Sequence, residues 1–81
     1  MSKSKLIADE LISKLPKDMR SCIIDENLWG DIVLSWKNLS LTIEADRRIS
    51  YRSRDGRIEY IGFPVSGDVP DVLLNLIKDN L

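Results

Sequence analysis

Apolar positions recur with two different periods along the chain, and the change of period separates helical ends from an extended middle. In residues 4–15, Leu6, Ile7, Ala8, Leu11, Ile12 and Leu15 follow the i, i+3, i+4 spacing of a one-sided amphipathic helix. Lys5, Asp9, Glu10, Ser13 and Lys14 fill the rest of its circumference. Ser4 is the expected N-cap and Pro16 the stop, because proline disfavours helical backbone at the residue before it. Val72, Leu73, Leu76, Ile77 and Leu81 make a second stripe of the same kind. Its helix is expected to begin at Val69-Pro70 behind an Asp68 cap, where proline gives up no hydrogen bond.

After Gly30 the period becomes two. Ile32, Leu34 and Trp36 alternate with Val33 and Ser35, and Leu39, Leu41, Ile43 and Ala45 alternate with Ser40, Thr42 and Glu44. A two-residue loop at Lys37-Asn38 sets Trp36 opposite Leu39, Leu34 opposite Leu41 and Ile32 opposite Ile43. A one-residue slip would face isoleucine and leucine with serine and threonine, so the pattern fixes this register.

Asp46-Arg47-Arg48 is the next expected turn, followed by a strand with Ile49 and Tyr51 on one face and Ser50 and Arg52 on the other. Asp55-Gly56 is a strong hairpin signal. Taken as a two-residue loop, it sets Tyr51 opposite Tyr60 and Arg52 opposite Glu59. It also turns Ile61 and Phe63 outward, a conflict that calls for a bulge near Gly62 or a second covering surface. Residues 17–30 carry less pattern. Met19, Cys22, Ile23 and Ile24 read equally as a helical turn or a short extended piece, Asp25-Glu26-Asn27 reads as a loop, and the preferred place for Trp29 is the edge of the core.

The resulting order, α-β-β-β-β-α, predicts one α+β domain spanning residues 1–81. It has a four-stranded antiparallel meander with two helices packed on one face and the other face wet. A chain of 81 residues has room for a small core and little room for an enclosed cavity. With 43% hydrophobic and 31% charged residues it is expected to fold rather than stay disordered.

Twelve basic and thirteen acidic residues give a net charge of −1, so any attraction to nucleic acid or an anionic membrane must come from local clustering. The single cysteine, Cys22, makes no internal disulfide and fits a reducing compartment, as a buried apolar residue before a reactive thiol. Asp9 and Glu10 interrupt what would be the apolar part of a signal peptide, and no run reaches membrane-spanning length. A cytoplasmic protein is expected.

The chain has no histidine, and its glycines, Gly30, Gly56, Gly62 and Gly67, stand apart from one another. The commonest general base and metal ligand, and the glycine-rich phosphate loop, are therefore missing. Asp25, Glu26 and Asp31 read as solvated acids before a catalytic or metal site. No enzyme activity, catalytic residue, metal or cofactor is expected.

Arg47, Arg48, Arg52, Arg54 and Arg57 form a run of arginines in which Asp55 is the sole acid. Strand parity points Arg48, Arg52 and Arg54 away from the core beside Ser35, Ser40, Thr42 and Ser50, with Arg57 joining them across the turn. Guanidinium groups bind carboxylate or phosphate through a planar fork, so this face suits an acidic protein surface first and nucleic acid second. A merely solvated face, partly neutralised by Glu44 and Glu59, ranks between them. Trp29 is the remaining candidate contact, since tryptophan is favoured in protein interfaces.

Residues 30–56, GDIVLSWKNLSLTIEADRRISYRSRDG, resemble the G-x-I-x-L-x-W…L-x-I-x-I…I-x-Y pattern of small uncharacterised bacterial and phage proteins. The resemblance implies an accessory interaction protein, such as a phage or mobile-element inhibitor of a host defence complex, and transfers no functional residue. The expected function is a non-enzymatic protein-binding module using Arg47, Arg48, Arg52, Arg54, Arg57 or Trp29. The alternatives are a nucleic-acid-binding domain, an antitoxin-like partner, and an accessory subunit that dimerises through an open edge strand.

Overall fold

The computed structural model describes residues 3–53, 55–63 and 67–81. Helix α1 (Lys3–Lys14) is followed by a 3-10 turn (Lys17–Met19), then by strands β1 (Ile23–Glu26), β2 (Ile32–Trp36), β3 (Leu39–Ile43), β4 (Arg48–Arg52) and β5 (Ile58–Gly62), and by helix α2 (Asp71–Lys78). The strands form one antiparallel sheet in chain order. The α+β meander is as expected, but it has five strands rather than four. The extra strand, β1, lies at the edge and is exposed along its whole length, so its residues need no alternation and leave no period to read. Asp25 and Glu26, expected in a loop, belong to it.

The β2–β3 hairpin has the register its apolar pairs dictate, with Ile32 facing Ile43, Leu34 facing Leu41 and Trp36 facing Leu39. These six residues, with Ile49 and Phe63 from farther along the sheet, are buried under Ile7, Ala8, Leu11 and Leu15 of the N-terminal segment and Val69, Leu73 and Ile77 of the C-terminal one. The indole N–H of Trp36 donates to the Met19 carbonyl at 2.9 Å, which fastens the 3-10 turn to the sheet. Arg20 turns back onto the end of α1, donating to the carbonyls of Leu15 at 2.8 Å and Ser13 at 3.1 Å. A cation there satisfies carbonyls that the helix itself cannot.

Three hairpin connections close in one way, with a three-residue loop whose last residue is left-handed. Asn27 and Asp31 bracket the first, Glu44 and Arg48 the second, Ser53 and Arg57 the third, through backbone bonds of 2.8–2.9 Å. The left-handed residues are Gly30 (φ 82°), Arg47 (φ 69°) and Gly56 (φ 85°). Gly56 was expected in a two-residue loop. As the third loop residue it moves the β4–β5 register by one, so Tyr51 faces Glu59 rather than Tyr60, and Arg52 faces Ile58 rather than Glu59. The same shift removes the conflict at Ile61 and Phe63. Ile61 now faces Ile49 beneath the helices, and Phe63, 1% exposed, is among the largest fully buried side chains. No bulge is needed.

The helix ends differ in detail from expectation. Ser4 lies inside α1 and is buried, so it is not the cap. Pro70 (φ −57°, ψ 141°) stands just before α2 with no side-chain cap bond, so Asp68 does not cap it. The buried face of α2 is Leu73 and Ile77 with Leu74 and Leu76 beside them, while Val72 and Leu81 are exposed.

The loop geometry carries a test. A Cβ added at Gly56 meets nothing within 4 Å, so Gly56→Ala changes no packing and only forces alanine into the left-handed region. Chemical denaturation should show a loss of about 1 kcal/mol; an unchanged midpoint would mean that the loop does not need this conformation.

Candidate interaction surface

The arginines that neighbour one another in sequence divide among different tasks in space. Arg47 is turned into the structure. Its guanidinium sits 4.7 Å from the Phe63 ring centre, its Nε donates to the Phe63 carbonyl at 2.7 Å, and its other arm pairs with Glu10 of α1. Lys14 approaches the same ring at 5.5 Å and donates to the Gly67 carbonyl at 2.6 Å. Phe63 is thus buried beneath two cations, and Arg47 ties the β3–β4 turn to both α1 and the end of β5. Arg47, expected as a partner contact, makes these structural contacts within the chain.

Arg48 does lie on the uncovered face, as parity predicts. Its charge is already engaged, by Glu44 and Asp46 at 3.5 Å each, and its guanidinium lies 4.8 Å from the Tyr60 ring centre. Arg57 shares the parity of Glu59 and Ile61 on the helix-bearing side, not that of Arg48 and Arg52, and it pairs with Asp55 at 3.4 Å. Arg54 lies outside the described residues. Arg52 is exposed at the far end of β4 and has no ion pair among the described residues. It borders an open cleft of about 880 Å³ with Asn38, Ser40, Tyr51, Asp79 and Asn80, where the registered β3–β4 pairs have stopped at Thr42 and Ser50. Glu59 does not neutralise this face, because it accepts a 3.0 Å hydrogen bond from the Tyr51 hydroxyl on the helix side. That bond, together with burial as the larger effect, raises the Tyr51 pKa.

What the register shift brings to the uncovered face is Ile58 and Tyr60, each 56% exposed. Sequence reasoning missed both. The signal was the phase conflict at Ile61 and Phe63, which a three-residue loop resolves at once. The face therefore runs from Ile23 and Asp25 on β1, through Val33, Ser35, Ser40, Thr42 and Ser50, to Arg48, Arg52, Ile58 and Tyr60 at the opposite edge. No described element covers it.

Trp29 is not a core residue. It is 82% exposed and Leu28 beside it is 96% exposed, at the tip of the β1–β2 hairpin. Asn27 organises the tip: its side-chain carbonyl accepts from the amides of Trp29 at 3.0 Å and Asp31 at 2.9 Å, and its backbone carbonyl accepts from Gly30 at 3.2 Å. Ile23 and Ile24 are also exposed at the far end of β1, on opposite faces, with Asp25 and Glu26 between them and the tip. In a meander the β1–β2 and β3–β4 loops share one end of the sheet and the β4–β5 loop lies at the other. Trp29 and Arg57 are therefore at opposite ends and do not make one site.

Burial pushes the Cys22 thiol up, which lowers its thiolate fraction at neutral pH and favours the packing role over the reactive one. Among the described residues no three Cys, Asp or Glu side chains gather to hold a metal ion, and no helix is long and apolar enough to cross a membrane. Comparison with known proteins finds no matching family model, no curated relative and no matching solved structure. The resemblance of residues 30–56 thus stands on their alternating strands alone.

The Glu10–Arg47 pair gives a pH dependence of known sign. The hydrogen bond from Arg47 is the largest influence on Glu10 and, against an opposing effect of burial and with the charges of Arg47 and Lys14, holds its carboxyl below the usual range. A folded-state pKa below the unfolded one contributes stability above the unfolded value, and that contribution is lost as pH falls through the folded value. Glu10→Gln should therefore flatten the acid limb of the stability curve and leave the slope near neutrality unchanged. An identical acid limb in both proteins would remove the pair from this role.

Proposed function

We propose that this protein is a non-enzymatic protein-binding module whose contact surface is the β1–β2 hairpin, centred on Leu28 and Trp29. The carrying observation is the near-complete exposure of these two side chains on a loop whose backbone is hydrogen-bonded to Asn27. A scattered exposed leucine needs no explanation, but tryptophan next to leucine at the tip of an exposed edge hairpin is the composition of an interface hot spot. A tip already ordered before binding loses little conformational freedom on contact. Asp25, Glu26 and Asp31 surround it, so a partner surface with an apolar pocket rimmed by lysine or arginine is the complementary one.

The arginine-bearing face is the weaker candidate. Arg48 is neutralised by its own turn, Arg47 is committed to Phe63 and Glu10, and Arg52 alone supplies little of the clustered charge that phosphate binding requires. The nucleic-acid reading loses ground for the same reason. The narrower reading, an inhibitor of a host defence complex, rests on the sequence resemblance and adds nothing to the choice of surface.

Capture from a lysate of the native host, compared quantitatively between wild type and a Leu28→Ser/Trp29→Ser variant, tests the surface. A protein bound by wild type should bind the variant at least thirtyfold more weakly, the equivalent of about 2 kcal/mol for a hot spot, with no change in thermal midpoint. Equal capture by both proteins would exclude the hairpin. Loss on Arg52→Glu instead would move the site to the sheet face, and binding of a single-stranded oligonucleotide that falls steeply with salt would restore the nucleic-acid reading.

A further inference from the structure

The sheet ends in two open edges of unlike chemistry. Facing residues in an antiparallel ladder alternate between pairs that exchange hydrogen bonds and pairs that do not. Arg47 bonds Phe63 and Ser53 bonds Arg57, so Glu59 and Ile61 direct their backbone groups to β4, and Ile58, Tyr60 and Gly62 direct theirs to open solvent. The β4–β5 ladder runs from Arg48–Gly62 to Arg52–Ile58 without a bulge. The edge carries no lysine or proline within β5 and shows exposed isoleucine and tyrosine. Natural sheets guard their edges against pairing with such residues, with other charges or with a bulge; β5 has no bulge, and its one charge, Glu59, is engaged by Tyr51 of its own chain. On β1 the same alternation leaves Ile24 and Glu26 outward, but the Glu26 amide is taken by the Asp25 carboxylate at 3.1 Å and two acids line the strand. That edge is guarded against a second copy of itself.

We propose that β5 pairs antiparallel with β5 of a second copy of this chain, about a two-fold axis at Tyr60. This register places Tyr60 on Tyr60, Ile58 on Gly62 and Glu59 on Ile61. Every outward backbone group of β5 then finds a partner, because Ile58, Tyr60 and Gly62 of one chain meet Gly62, Tyr60 and Ile58 of the other. On the uncovered face the two tyrosine rings pack together. Each isoleucine lies beside Gly62, where an added Cβ would meet nothing within 4 Å and a neighbour's side chain therefore has room. No like charges face each other directly; the two Glu59 residues are diagonal neighbours, their Cα atoms roughly 7–8 Å apart, and each carboxylate is bonded by its own Tyr51. The helices of both copies stay on one side of a continuous sheet, and the Trp29 hairpins stay at its outer edges, so this pairing does not depend on the hairpin's role.

Sedimentation equilibrium of the full chain should give twice the 9.3 kDa chain mass. Tyr60→Lys, which sets two ammonium groups across the axis, should return the mass to that of one chain with an unchanged far-ultraviolet circular dichroism spectrum. In a Cys22→Ser background, mild oxidation should cross-link Tyr60→Cys into a dimer, since hydrogen-bonded facing Cα atoms lie about 5.5 Å apart and suit a disulfide. Ile58→Cys should stay uncross-linked, because its counterpart faces Gly62. A monomeric wild type at millimolar concentration, a dimer that survives Tyr60→Lys, or cross-linking through Ile24→Cys in place of Tyr60→Cys overturns the proposal.

Discussion

The phase of the β4–β5 ladder governs the outcome for the C-terminal half of the sheet. Side chains alternate strictly along a strand, so one residue more in the loop exchanges the two faces of everything that follows. With Ser53 facing Arg57 and Gly56 left-handed, Ile61 and Phe63 go under the helices, and Ile58 and Tyr60 go to the open face. Burying Phe63 then draws Lys14 and Arg47 over its ring and Glu10 onto Arg47, which brings α1 to the end of the sheet farthest along the chain. A helix near the N-terminus is thus secured by the register of the last hairpin.

Arg47 stands where that arrangement is tightest. Its backbone is left-handed, which costs a residue with a Cβ about 1–2 kcal/mol. The equivalent positions in the other two loops are glycines. The side chain offers what glycine cannot, a stacked contact with a buried ring, a bond to a backbone carbonyl and an ion pair to a helix. Exposed ion pairs contribute little, but a guanidinium laid on an aromatic ring and partly shielded from water contributes more. The strain at this turn is therefore offset by tertiary contacts of the same residue.

This explains what could and could not be read from the chain. The β2–β3 hairpin was legible down to its pairs because both strands are buried on one face, so hydrophobic pattern and register carry the same information. The two helices were legible from their stripes, while their first residues were not, because no side-chain cap marks the start of α2 and Ser4 is recruited into the core instead. β1 was illegible for a physical reason: an edge strand exposed on both faces is free of the alternation that reveals strands. The arginines looked like one cluster because sequence distance ignores parity. Arg47 and Arg48 are adjacent, yet one is folded onto Phe63 and the other paired with acids on the opposite face.

The two edges of this sheet divide the possible contacts between them. β1 presents acids, an internally satisfied amide and an apolar tip, features that discourage a second copy and suit a surface of opposite charge. β5 presents three unpaired residues that match their own reverse order, features that favour a second copy over a charged partner. In the proposed pairing the axis stands perpendicular to the sheet, so the two Trp29 tips point to opposite ends of the strands. Across the ten strands alone they are separated by roughly 40 Å at the usual strand spacing, to which the strand length adds. Two identical tips held at a fixed separation bind a repeated or symmetric target more tightly than either binds alone, provided the target's sites match that span. A partner with a single site would gain nothing from the pairing, so dimerisation through β5 would select among partners that the Trp29 surface itself cannot distinguish.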